Sequence, residues 1–180
     1  MLNKKQIKNP ATTPTNTPIV IAVDPGYDRF GIAIIKKEPT GKDTLVYSGF
    51  VQTDSKIEFV LRLQTVIDEF KSTIKKFSPE FLAVETLFFS NNQKTAMHVA
   101  EVRGAVLYTA KEAGLKIMEI HPLKIKQAIT GDGKSDKAQI IKMIELLTGL
   151  KKKTKDDEYD AIAVGLAFMA MYKNGYSQLV

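Results

Sequence analysis

Apolar positions follow two rhythms along this chain. Short runs rich in β-branched residues, at 19–24, 31–37 and 44–52, have the make-up of strands. Asp24-Pro25-Gly26 is turn chemistry between the first two, and the loop Glu38-Pro39-Thr40-Gly41-Lys42-Asp43 joins the second to the third. The three together predict an antiparallel meander. From 55 to 77 the rhythm changes, with Ile57, Val60, Leu61, Leu63, Ile67, Phe70 and Ile74 at helical spacing. Ser55 is placed as its N-cap, with Glu58 completing a capping box, and Ser78-Pro79 as its stop. A buried strand at 81–85, a helix at 92–113 ended by Gly114, a strand at 115–120 and a short helix at 122–129 follow. Two more helices close the pattern. One spans 135–148 with Ile140, Ile141, Ile144 and Leu147 inward, and one spans 156–174, very apolar after its first turn. This order, βββαβαβααα, predicts an α/β layered domain with helices covering a mixed sheet. No internal repeat or second domain is evident, so 19–180 is expected to fold as one domain behind a polar arm, 1–18.

Composition narrows the chemistry. The chain has no cysteine, which excludes disulfides, zinc–cysteine sites and a thiol nucleophile. No apolar run approaches the roughly 18 residues that span a bilayer. The arm lacks the apolar core of a secretory signal, so a cytoplasmic location is expected. The net charge of +6 favours an anionic partner, nucleic acid being the commonest.

Within this basic chain, two apolar strands end on carboxylates, Asp24 and Glu85. An ionised group there is costly unless paired, hydrogen-bonded or bound to a cation. For Asp24 an Asx-turn and a metal ligand both stand as readings. The third acidic stretch is KKTKDDEYDAIAVGLA. Asp157 and Asp160 are three apart and share a helix face. Acids in a first turn also suit the helix dipole, a role that Asp156 and Glu158 can fill. Asp160 leads straight into Ala161-Ile162-Ala163-Val164, where burial would demand a partner. Asp156 lies four residues before Asp160 and also reaches that face, so the register stays open. Oxygen-only ligand sets suit hard cations such as Mg²⁺ and Mn²⁺. Acids for metal and lysines for phosphate describe a nuclease, with two ions roughly 3.5–4 Å apart able to serve an in-line displacement. His98 and His121 have no metal-ligand spacing and read as structural.

Four segments, VDPGYDRFGIAII, AVETLFFSNNQKTAMHVAEVRGAV, IHPLKIKQAITGDGKSDKAQI and DDEYDAIAVGLA, resemble the RuvC-type Holliday-junction resolvases. Together they reach from Ile19 to about Phe168. The resemblance implies a ribonuclease H-like fold with a five-stranded mixed sheet flanked by helices. It implies a homodimer that binds a four-way DNA junction in recombination and repair, and nicks two strands of like polarity to leave 5′-phosphate and 3′-hydroxyl ends. Asp24, Glu85, Asp157 and Asp160 match the catalytic, metal-binding acids, serving Mg²⁺ or Mn²⁺ with two ions per site. The family carries Asp or His at the position of Asp157. Phe88 matches an aromatic expected to stack on bases at the junction centre, an interaction worth roughly 1–3 kcal/mol per base. Lys126 and Lys137 match basic positions near the DNA backbone, with Lys124, Arg103 and Lys134 as further candidates. The 92–113 helix is the expected dimer element, and a branch-migration helicase complex is a further expected partner. Two alternatives remain: another ribonuclease H-like nuclease of the YqgF type, and a junction-binding protein without catalysis. FFSNN and KIKQ fit RuvC better than YqgF. An actin-like ATPase would need two such domains and more residues than this chain has.

Overall fold

The computed structural model describes residues 17–87, 93–151 and 154–173. Its elements are β1 (Ile19–Asp24), β2 (Arg29–Lys37), β3 (Asp43–Gln52), α1 (Phe59–Phe77), β4 (Phe81–Glu85), α2 (Gln93–Glu112), β5 (Lys116–Ile120), α3 (Pro122–Thr130), α4 (Lys137–Thr148) and α5 (Asp156–Lys173). The strands form one sheet in the order β3-β2-β1-β4-β5. The meander β1-β2-β3 is antiparallel, as its short connections require, while β4 and β5 join parallel through helical crossovers.

Alternation along the central strands divides the core. Val20, Ala22, Ala33 and Ile35 face α3, α4 and α5 on one side. Ile21, Val23, Ile32 and Ile34 face α1 and α2 on the other. With both faces covered, these strands read as continuous apolar runs. α5 packs against the sheet centre, close enough that a Cβ on Gly165 would lie 2.8 Å from Ile35 Cδ1 and 3.1 Å from Ala22 Cβ. Among the described residues, no helix is long and apolar enough to cross a membrane.

Two helix starts differ from the sequence expectation. α1 begins at Phe59, its N-cap is Glu58, and no side chain caps it. The Ser55–Glu58 box does not form because Asp54 takes over the turn: its carboxylate accepts from the Lys56 amide at 2.9 Å and its carbonyl from Ile57 at 3.1 Å. The inward face moves with the start. Arg62, Val66, Phe70 and Thr73 are buried, whereas Ile57, Val60 and Leu61 are exposed. α4 begins at Lys137 on a capping box of Asp136 and Gln139. Its buried residue is Ile144, and Leu147, expected inside, is exposed.

Candidate active site

The site forms where strand ends and a helix start converge. β1 and β4 are parallel neighbours with Val23 beside Val84, so Asp24 and Glu85 leave the sheet together. α5 reaches them by crossing the start of β2. A Cβ on Gly31 would lie 1.9 Å from the Asp157 carbonyl oxygen, so only glycine admits the helix this close. Asp157 and Asp160 thereby enter the field of Asp24. Burial first, then Asp160, Asp157 and Glu85, raise the Asp24 pKa to about 7, against a smaller opposing pull from Lys137. Burial and then Asp160 also raise Glu85, while Lys126 opposes them. Asp160 is raised by burial, with Lys137 pulling it back and Asp156 and Asp157 adding to the rise. The turn after Asp24 is closed by the main chain, Gly26 N–H donating to the Asp24 carbonyl at 3.1 Å. No Asx bond from the Asp24 carboxylate exists among the described residues.

The four acids opening α5 have separate tasks. Asp156 is exposed and pairs with Lys137 at 3.2 Å, away from Asp24. Asp157 is mostly buried, with Arg29 Nε 2.9 Å from its Oδ2. That oxygen is buried and accepts no hydrogen bond. Glu158 is buried and anchors the helix start, accepting from Ser48 on β3 at 2.6 Å and from Thr154. Asp160 faces the site and meets Lys137 at 3.3 Å. The geometry thus favours Asp157 over Asp156 as the neighbour of Asp24.

These residues fit a hard divalent cation. The donors are carboxylate oxygens, one of them orphaned, and Asp24 is buried among like charges that a cation would relieve. Among the described residues, no three acidic or histidine side chains already converge as a ligand set. Arg29 and Lys137 take up part of the charge instead.

The basic candidates separate in the same way. Lys126 on α3 acts on Glu85, and Lys137 opens α4 beside Asp160. Lys124 is exposed on α3. Arg103, expected at the DNA surface, is turned inward. Its Nε donates to the Glu85 carbonyl at 3.4 Å and its Nη2 to Glu119 on β5. Its guanidinium therefore supports the end of β4. Phe88 lies outside the described residues, as does the arm through residue 16. His98 stacks on Phe59 with centroids 4.0 Å apart, and His121 caps α3, accepting from Leu123 N–H at 3.2 Å.

The family model for the crossover junction endodeoxyribonuclease RuvC matches residues 20–168. The chain belongs to the RuvC family. It is 38% identical over 146 residues to the RuvC of Thermosipho melanesiensis, covering 81% of this chain and 92% of that one. It is 37% identical over 156 residues to the RuvC of Halothermothrix orenii, covering 86% and 94%. Thermus thermophilus RuvC, solved in complex with Holliday junction substrate, superposes with a TM-score of 0.84 at 27% identity, covering 91% of this chain and 99% of that one. The ribonuclease H-like fold implied by the motifs is therefore the fold of this RuvC-family chain. Fowlpox virus resolvase shares the fold at 14% identity and a TM-score of 0.57.

Sequence reasoning missed one residue that shapes this RuvC-family site. Arg62 is buried on α1, where its Nε donates to Thr53 Oγ1 at 2.9 Å and its Nη2 to the Tyr27 carbonyl at 3.3 Å and to the Asp28 carboxylate. Its Cζ lies 4.8 Å from the Tyr27 ring centroid. Thr53 Oγ1 also donates to the Tyr27 carbonyl at 2.6 Å. The turn that follows Asp24 is thus clamped to α1. The available signal was spacing, since Arg62, Val66, Phe70 and Thr73 share one helical stripe. Arg62→Met is expected to cost about 2–4 kcal/mol, because it removes the charge-assisted bonds that tie α1 to Asp28, Thr53 and the Tyr27 carbonyl. Urea unfolding measures this, and an unchanged midpoint would contradict the clamp.

Proposed function

We propose that this chain resolves four-way DNA junctions by paired, symmetric, metal-dependent nicks in recombination and repair, using Asp24, Glu85, Asp157 and Asp160 as its catalytic, metal-binding acids. The observation that carries the reading is that Asp160 and Asp157 from α5 and Glu85 from β4 all act electrostatically on the buried Asp24 of β1, with Lys126 acting on Glu85 and Lys137 beside Asp160. The junction bound by the Thermus thermophilus relative supports the substrate. When bound, one or two divalent ions, Mg²⁺ or Mn²⁺, supply charge neutralisation at the phosphate and acidify the attacking water. The protein's share is positioning and exclusion. Asp24 and Glu85 are fixed by the sheet, while Asp157 and Asp160 are fixed by the contact of α5 with Gly31. Lys126 and Lys137, with Lys124 further out, bind phosphates and give affinity without sequence choice. Phe88 stacks on an unpaired base. The products are 5′-phosphate and 3′-hydroxyl ends. The bacterial relatives support a cytoplasmic location, and the family resemblance adds a branch-migration helicase complex as the partner that delivers the junction.

Two sites per junction call for a homodimer whose two-fold axis matches that of the DNA. The exposed face of α2 supports this, with Met97, Gly104 and Tyr108 on one stripe. A Cβ on Gly104 would meet nothing within 4 Å. Glycine inside a helix costs about 0.5–1 kcal/mol relative to alanine, and close approach of a second α2 would account for it. Gly104→Glu is expected to yield a folded monomer by light scattering, with junction cleavage lost. A dimer of unchanged mass would remove α2 from the interface.

The direct test is a labelled mobile four-way junction with Mg²⁺, run beside linear duplex and an EDTA control. Paired nicks confined to the junction, and absent in EDTA, are expected. Equal cutting of duplex or RNA would move the chain to another nuclease activity on the same fold. Binding without cutting would make it a junction-binding protein.

A further inference from the structure

Arg29 stands apart from the other cations of the site. It opens β2 opposite Gln52 on β3, and its side chain is 49% exposed. Only Nε faces Asp157, and Asp157 Oδ2 receives no hydrogen bond from it. Arginine held for structural pairing favours two parallel N–H bonds to a carboxylate; here that geometry is not formed. Among the described residues, the two Nη groups have no hydrogen-bond partner. Arg29 lines an open cleft of about 730 Å³ with Asp28, Gln52, Thr53, Asp54 and Ser55. Strand order places Arg29 on the β2 side of Asp24, and Lys126 acts from the β4 side. Cations thus flank the central carboxylate on both sides, and only the guanidinium presents a planar fork of free donors.

We propose that Arg29 is a DNA-contacting residue: its Nη groups bind a phosphodiester of the cut strand on the β2 side of the scissile bond, while Nε remains on Asp157. The inference rests on the nuclease reading above. A planar guanidinium suits two non-bridging phosphate oxygens, and lysine cannot reproduce that match. Holding the flanking phosphate would fix the strand against the acids, a contribution of orientation rather than of bond-breaking.

The experiment is single-turnover cleavage at saturating Mg²⁺ by wild type, Arg29→Met and Arg29→Lys. The junctions carry one neutral methylphosphonate at successive positions around the cut. Arg29→Met is expected to slow cleavage of the unmodified junction about 10- to 100-fold, in the range seen for loss of one positioned donor, and Arg29→Lys to recover only part. At one flanking position, neutralising the phosphate should slow the wild type and leave Arg29→Met almost unaffected. Full additivity at every position would overturn the phosphate contact, since a residue acting only through Asp157 is indifferent to which phosphate is charged. A wild-type rate in both variants would overturn it equally. A wild type that leaves the unmodified junction uncut would defeat the nuclease reading itself and this inference with it.

Discussion

Asp24→Asn is expected to end cleavage and, at neutral pH in metal-free buffer, to make the fold more stable. The Asp24 carboxyl is raised from 3.8 to about 7, by burial first and then by Asp160, Asp157 and Glu85. The folded protein therefore holds this proton more tightly than the unfolded chain. Between about pH 4 and pH 7 the unfolded chain releases it first, so the group's contribution to stability falls as pH rises and the deficit is complete above 7. At about 1.4 kcal/mol per pK unit, its removal by asparagine is worth roughly 2–4 kcal/mol at pH 8 and close to nothing at pH 4. Mg²⁺ should reverse the order, raising the wild-type urea midpoint while leaving the variant nearly unmoved. Urea melts at pH 4.5, 6 and 8, with EDTA and then with Mg²⁺, test both halves. A variant less stable than wild type at pH 8 in EDTA would show that Asp24 is not a buried charge under repulsion.

The second large effect is expected at Gly31. Alanine there would place Cβ 1.9 Å from the carbonyl oxygen and 2.6 Å from the carbonyl carbon of Asp157, both backbone atoms. A helix backbone cannot swing aside like a side-chain tip, so the α5 start must move by on the order of 1 Å, enough to cost about 100-fold in rate. Overpacking should add about 1–3 kcal/mol of destabilisation. Gly165→Ala is the contrast. Its nearest contact at 2.8 Å is Ile35 Cδ1, a side-chain tip, and it lies in mid-helix, beyond the first turns that carry Asp157 and Asp160. Thermal melts and single-turnover rates should therefore show Gly31→Ala losing activity out of proportion to stability, and Gly165→Ala losing stability alone. Equal loss of both in the two variants would mean that the helix start does not set the acids.

Why Asp24 and Glu85 were legible in the sequence, and Arg62 was not, follows from the distance over which each is determined. A carboxylate that ends an apolar run announces itself locally, and the parallel pairing of β1 with β4 then follows from a crossover through α1. Arg62 sits between Leu61 and Leu63, and its burial depends on Asp28 and Thr53, which reach it only in the folded chain. The division of labour among Asp156, Asp157, Glu158 and Asp160 is similar. Helical spacing places them on a first turn, but Ser48, 110 positions from Glu158, assigns that residue to anchoring. Arg103 looked like a surface cation because nothing beside it in sequence reveals Glu119. Helix starts failed for a smaller reason: Asp54 commits its carboxylate to a turn ahead of α1, which then starts uncapped, and Asp136 caps α4 just after the expected start.

On the proposed reading, the placement of Asp157 and Asp160 on α5 also sets when, during synthesis, the acidic site can be complete. α5 follows all five strands in sequence. A nascent chain that has finished its sheet already carries Asp24 and Glu85, yet half of the acidic cluster and the helix that seats it are still to come. At that stage the sheet surface formed by Val20, Ala22, Ala33 and Ile35 lacks its cover and is prone to sticking. On that reading the same late event hides this surface and completes the site, so an unfinished or misdocked chain exposes a sticky face while its acidic cluster is still incomplete.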